Sequence, residues 1–271
     1  MSAQLQGAVV CVTGGARGIG RATAQLFAQH GARVWIGDLD EALVKEAAAE
    51  LGTNVRGHHL DVTDSTSFSN FLGAAEVDGP LAVLVNNAGI WRVGDFLDQP
   101  LASITREIEV NLCGTVIGMR LALPGMIERD CGHIVNLSSM AGKITLPGGA
   151  VYSASKFGVA ALSRALRAEL PTQNVRISTI FPATVRTEFQ TGVSLAGTSA
   201  MPPEEIAAQI VNALSHQRSE IAIPRWALAL GAVEEVLPER LFNAVKRKAT
   251  ASRFGAVDHA KRQNYYTARG G

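Results

Sequence analysis

Tyr152 and Lys156 stand four positions apart in the stretch NLSSMAGKITLPGGAVYSASKFG, residues 136–158, and Ser139 precedes the tyrosine by thirteen positions. On a helix, residues at i and i+4 share one face. An ammonium held beside a phenol favours the phenolate, drawing a tyrosine pKa down from about 10 towards working pH. A serine hydroxyl aimed at the same point could hold a carbonyl or alcohol oxygen. Together they make a proton-transfer site for a carbonyl/alcohol pair, and such a reaction also needs a hydride donor.

A place to hold that donor begins near the N-terminus. Residues 8–12 form a short apolar run that ends in TGGARGIG, and the helical pattern RATAQLFAQH follows, closed by Gly31. Strand, glycine loop and helix bring backbone N–H groups and a helix N-terminus against phosphates. The glycines are Gly14, Gly18 and Gly20, spaced G-x-x-x-G-x-G rather than G-x-G-x-x-G. A second strand over 33–37 ends in Asp38, placed to accept hydrogen bonds from an adenosine ribose. Asp38 would also repel a 2′-phosphate, which argues for NAD over NADP. Arg17 could instead pair with that phosphate. Because Asp38 carries the opposite sign at the more direct position, Arg17 is expected to be a solvated loop residue.

The alternation continues. Asp40 caps a helix over 41–51 closed by Gly52, a strand covers 55–60 and ends at Asp61, and Asp64 or Ser65 caps a helix to about 76. A strand over 81–85 leads into NNAG. A long helix is expected over 102–127, with Pro124 disturbing its last turns. A strand at 133–137 leads to Ser139, a helix over 152–170 carries Tyr152 and Lys156, and 175–181, 203–215 and 220–223 read as strand, helix and strand. Regular βα alternation predicts a parallel sheet with helices on both faces. Ligands of such sheets sit beyond the carboxyl ends of the strands. Those ends are Thr13, Asp38, Asp61, Asn86, Ser138 with Ser139, and Pro182.

Composition sets bounds on the alternatives. The 271 residues are 47% hydrophobic and 18% charged with net charge +1, a globular balance without a basic stripe for nucleic acid. Neither a secretory signal pattern nor an uninterrupted apolar run of about 18 residues is visible. Three scattered cysteines, Cys11, Cys113 and Cys131, fit a reducing compartment, and a cytoplasmic protein is expected. The histidines show no metal-ligand spacing, so no metal is expected.

In order and spacing, these residues resemble the short-chain dehydrogenases/reductases of standard length. The resemblance covers about residues 7–223 and rests on TGGARGIG, Asp38, LDVTD with Asp61, NNAG, Asn111, Ser139, the Tyr152-x-x-x-Lys156 pair and PATVRT from Pro182. It implies a Rossmann-type, doubly wound parallel sheet of about seven strands and a catalytic tetrad of Asn111, Ser139, Tyr152 and Lys156. Tyr152 would be the general acid/base, Lys156 would lower its pKa and bind the nicotinamide ribose, Ser139 would orient the substrate oxygen, and Asn111, in a helix distortion, would hold a water relaying protons to Lys156. The cofactor-binding set would be Gly14, Arg17, Gly18, Ile19, Gly20, Asp38, Leu39, Asp61, Val62, Asn87, Ala88, Gly89, Tyr152, Lys156, Pro182, Val185 and Thr187. One departure is that the family's usual Pro-Gly is Pro182-Ala183 here, a methyl group where the backbone passes close to the nicotinamide. Ser138 is expected to be structural.

The expected domain spans residues 1–224, with a substrate lid at about 188–215 and a C-terminal helical, basic extension at 225–271. Ile90, Trp91, Phe96, Ile144, Leu146 and Phe189 should wall the substrate, with Arg92 and Lys143 on a solvated rim. An apolar pocket suggests a hydrophobic secondary alcohol or ketone. The extension could pack on a second subunit of a homo-oligomer (tetramer or dimer), cover the substrate pocket, or touch an anionic membrane through Lys246, Arg247, Lys248 and Arg253. The reading is an NAD-dependent oxidoreductase interconverting a secondary alcohol and a ketone. A catalytically silent NAD-binding regulator and an NADPH-linked 3-oxoacyl-thioester reductase are the alternatives.

Overall fold

A computed structural model describes residues 5–172, 174–193, 200–215, 218–227, 229, 231, 240 and 261–262. Seven strands, Val9–Thr13 (β1), Arg33–Asp38 (β2), Val55–His59 (β3), Leu81–Asn86 (β4), Gly132–Leu137 (β5), Val175–Pro182 (β6) and Glu220–Ile223 (β7), form one parallel sheet in the order β3-β2-β1-β4-β5-β6-β7. The order reverses between β1 and β4, and at that switch point a crevice opens beyond the strand ends. The sheet is the parallel one expected from the βα alternation.

Helices cover both faces, so β1 is buried along its whole length and its alternate residues serve two cores. Val10 and Val12 join Phe27, Ile36, Val85, Val135 and Ile210 on the face covered by helices Gly18–Gln29 (α1), Glu41–Leu51 (α2) and Pro203–Ala213 (α6). Val9 and Cys11 join Phe68, Phe71, Leu84, Met119, Met126 and Ile134 beneath Ser65–Ala75 (α3), Leu101–Glu128 (α4) and Ala150–Glu169 (α5). At roughly 25 cal/mol per Å² of buried apolar surface, these two layers are the main source of stability. Caps fall where the sequence placed them: Asp40 accepts from Leu43 N and Asp64 from Thr66 N.

The long helix departs from expectation at one point. It runs through Pro124, whose position and that of Arg120, one turn earlier, face solvent, so water can satisfy the carbonyl that the proline leaves without a donor. The distortion lies where the family resemblance put one, around Asn111: over Glu109–Cys113 the turn widens to a π-helix and Gly114 N donates to the Glu109 carbonyl. By length and composition α4 could cross a membrane, but nearly half of its most apolar stretch is buried, with Met119, Ala122, Leu123 and Met126 facing the core beneath the sheet.

Candidate active site

The widened turn buries Asn111 completely and aims its side chain off the regular helix path. Its Nδ2 donates to the Ile90 carbonyl at 2.9 Å and to Ser155 Oγ at 3.1 Å, and its Oδ1 accepts from Ile90 N at 2.8 Å. The carboxamide therefore ties the segment after β4 to α4 and α5. Two of these three bonds hold Ile90, whose N–H and carbonyl are both engaged.

Lys156 is 4% exposed. Its Nζ donates to the Leu137 carbonyl at 2.9 Å and lies 5.8 Å from the centre of the Tyr152 ring. Burial pushes the ammonium down to about 8, while the carboxylate of Glu107 draws it back up. Glu107, one turn before Asn111, is fully buried. Its Oε1 accepts from Arg92 N at 3.1 Å, and its Oε2 has no hydrogen-bond partner among the described residues. Burial pushes this carboxyl up to about 7, against the pull of Arg92, Lys156 and Arg262. A buried acid thus acts electrostatically on the ammonium that lies over the Tyr152 ring.

Ser139 follows β5, and its Oγ accepts from Ala141 N at 3.1 Å, leaving the hydroxyl proton for another acceptor. The turn Met140–Gly142 packs so tightly on α5 that a Cβ at Gly142 would stand 2.6 Å from the Lys156 carbonyl oxygen. That contact fixes the serine against the helix bearing Tyr152 and Lys156. Ser138 is structural, as expected: its hydroxyl donates to the Lys156 carbonyl at 2.8 Å.

Tyr152, 9% exposed, sits in an aromatic cluster. Trp91 lies 5.7 Å and Phe189 6.0 Å from its ring centre, and Trp91 and Phe189 stack at 6.1 Å. Phe96, by contrast, is 55% exposed. Of the two cations expected on a solvated rim, one is buried and the other is paired and half-buried. Arg92 is 7% exposed, and Lys143 pairs with Glu220 at 2.8 Å while lying 4.5 Å over the Phe181 ring.

The glycine loop meets the NNAG turn. Thr13 Oγ1 accepts from Asn87 N and Ala88 N at 3.0 Å, and Asn87 Nδ2 donates to the Thr13 and Gly14 carbonyls at 2.9 and 3.0 Å. Asp38 Oδ2 accepts from Ala16 N at 3.3 Å, which puts its carboxylate against the loop. Ile19 and Gly20 belong to the first turn of α1, and Leu39 is partly exposed beside Asp38. Arg17 is not a free loop residue: it bridges Asp40 at 3.5 Å and Glu188 at 3.2 Å. Asp61 accepts from Thr63 and Arg106; burial pulls its carboxyl up, but these bonds prevail and hold it below the ordinary range. Val62 is buried against Gly114. After Pro182, Val185 bridges Met201, and Thr187 lies over Gly18. In front of Lys156, a Cβ on Gly89 would stand 3.5 Å from Nζ, space that a cofactor ribose hydroxyl can use. The loop, Asp38 and the Gly89 gap together fit a nicotinamide dinucleotide laid along the strand ends.

The family model for short chain dehydrogenases matches residues 8–196, well over half of the chain. The chain belongs to the short-chain dehydrogenase family. It is therefore an oxidoreductase of the CH–OH class built to hold a nicotinamide cofactor. Among similar proteins, 2,5-dichloro-2,5-cyclohexadiene-1,4-diol dehydrogenase LinX of Sphingobium indicum is 35% identical over 77% of this chain and 82% of its own length. Trans-4-hydroxycyclohexanecarboxylate dehydrogenase of Sinomonas cyclohexanicum is 39% identical over 68% of this chain and 75% of its own. A short chain dehydrogenase/reductase from Burkholderia phymatum, solved in complex with NAD, superposes with a TM-score of 0.79 over 85% of this chain and 94% of its own at 24% identity, a likeness of fold. Solved structures of this fold also include one complexed with 5-hydroxy-NADP.

Two features of the short-chain dehydrogenase site escaped the sequence reading. Glu107 had a signal, an acid one turn before Asn111 on the same helix. Arg262 had none. Among the described residues no group of three His, Cys, Asp or Glu could hold a metal ion. The loop 194–199 and the basic cluster Lys246, Arg247, Lys248 and Arg253 lie outside the described residues.

Proposed function

We propose that this protein is an NAD-dependent dehydrogenase that interconverts a ring-bearing secondary alcohol and its ketone. The observation that carries this reading is the buried Lys156 ammonium 5.8 Å from the face of Tyr152, with Trp91 and Phe189 closing round the same phenol. The bound cofactor would accept or supply the hydride. Tyr152 takes the proton from the substrate hydroxyl in oxidation and returns it in reduction, and Lys156 favours the phenolate form that begins the oxidation. Ser139 donates its free hydroxyl proton to the substrate oxygen. Asn111 holds Ile90, and with it the start of the segment that leads to Trp91.

The two cyclic-alcohol relatives support a ring-bearing substrate, and the three aromatic rings supply faces for one. NAD is favoured because Asp38 stands at the glycine loop and Arg17 is already paired with Asp40 and Glu188. Leu101, Ile108, Val116 and Leu121 on α4 and Phe157 on α5 are exposed, an apolar surface suited to a second copy of the chain. The test is a panel of cyclohexanols, cyclic diols, steroid alcohols and 3-hydroxyacyl thioesters with NAD+ and NADP+. NAD+ reduction on cyclic secondary alcohols is expected. Activity confined to thioesters with NADP(H), or none at all with cofactor still bound, would contradict the proposal.

A further inference from the structure

Arg262 stands far beyond the last strand, yet it is 2% exposed. Its Nη1 donates to the carbonyls of Phe189 at 2.7 Å and Thr191 at 3.1 Å, and its Nη2 donates to the carbonyl of Trp91. These partners are 73, 71 and 171 residues away in sequence. The guanidinium carbon also lies 5.3 Å from the centre of the Trp91 ring. An arginine buried this far from water needs hydrogen-bond acceptors. The two loops provide the acceptors, and the Trp91 ring lies against the guanidinium. One side chain therefore joins three segments: the turn after β4, the turn after β6 and the C-terminal stretch.

We infer that Arg262 is a positioning residue of the substrate site, holding Trp91 and Phe189 against Tyr152, the phenol on which the alcohol must bind. The inference rests on the dehydrogenase reading for its substrate class. Its geometry does not: the arginine holds the backbone of both aromatic residues, and both rings touch the ring of Tyr152. The planar fork of an arginine can reach carbonyls on two loops at once, which a lysine, a point charge, cannot do. Arg262 thereby contributes to substrate selection.

The experiment compares wild type with Arg262→Ala and Arg262→Gln in the full-length chain. Arg262→Gln keeps hydrogen-bond donors without stranding a buried charge. For Arg262→Ala the KM for cyclic secondary alcohols is expected to rise at least tenfold, with kcat within about threefold and the NADH dissociation constant unchanged; Arg262→Gln should fall between. Amide exchange should accelerate at 91–93 and 189–193 and stay unchanged in β4 and β5. A KM within twofold of wild type in both variants, with unchanged exchange at those two turns, overturns the inference. So does exchange that accelerates across β4 and β5 in both variants, which would make Arg262 a support of the whole fold. If wild type turns over no alcohol, the dehydrogenase reading fails separately, and exchange still decides whether Arg262 holds the two loops.

Discussion

Glu107→Gln keeps the acceptor for Arg92 N and removes only the ionisable proton. The carboxyl is fully buried and pushed from 4.5 up to about 7 by burial, with Arg92, Lys156 and Arg262 the charges that face it. An acid whose pKa is higher in the folded chain stabilises the fold below its unfolded pKa and loses that contribution as pH rises through the folded value. A rise of about 2.5 units corresponds to about 3 kcal/mol at about 1.4 kcal/mol per unit, and most of it, about 2.5 kcal/mol, falls between pH 5 and 8. Glu107 also draws the Lys156 ammonium up, so in the variant that group loses its proton at lower pH, which adds to the climb in the same direction. Urea unfolding of wild type and Glu107→Gln at pH 5, 6, 7 and 8 measures it. The stability of the variant relative to wild type should climb by about 2.5 kcal/mol from pH 5 to pH 8, or roughly 5–10 °C in melting temperature for a chain of this size. Two curves that stay parallel within about 0.5 kcal/mol would refute the assignment of a neutral-range carboxyl to this position.

In direct fluorescence titration NADH should bind at least tenfold more tightly than NADPH, because a 2′-phosphate brought against Asp38 meets a like charge worth about 1–4 kcal/mol at close range; tighter NADPH binding would reverse the cofactor assignment. Light scattering should return a multiple of the chain mass, and Val116→Asp with Leu121→Asp should lower it; a monomeric wild type would remove the role given to the apolar face of α4.

Local signals carried much of this fold. The apolar run of β1, the caps Asp40 and Asp64, and the glycine after β1 act within a few residues of themselves, so they can be read directly. The spacing of Tyr152 and Lys156 is equally local. Burial of charge is not. Arg92 and Lys143 read as solvated because cations usually are, yet Arg92 is buried and Lys143 is paired with Glu220, 77 residues downstream. Arg17 is paired through Glu188, 171 residues away. The Pro124 signal was real but weaker than its setting, since a proline whose lost bond faces water can remain in a helix, while the functional distortion at Asn111 showed no local cue beyond the family resemblance. Arg262 marks the limit of sequence reading: its partners come from two turns that meet only after the sheet has formed.

The central claim is that Tyr152 moves the proton while a nicotinamide cofactor exchanges the hydride. The measurement that tests it most directly is the alcohol panel run on wild type and Tyr152→Phe, followed by cofactor reduction at 340 nm, with NADH binding measured on both. The account predicts that wild type reduces NAD+ on cyclic secondary alcohols and that Tyr152→Phe loses a factor of about 10²–10⁴ in kcat, the usual share of a general acid/base, while NADH affinity stays within a few-fold. Turnover left intact by Tyr152→Phe would contradict it.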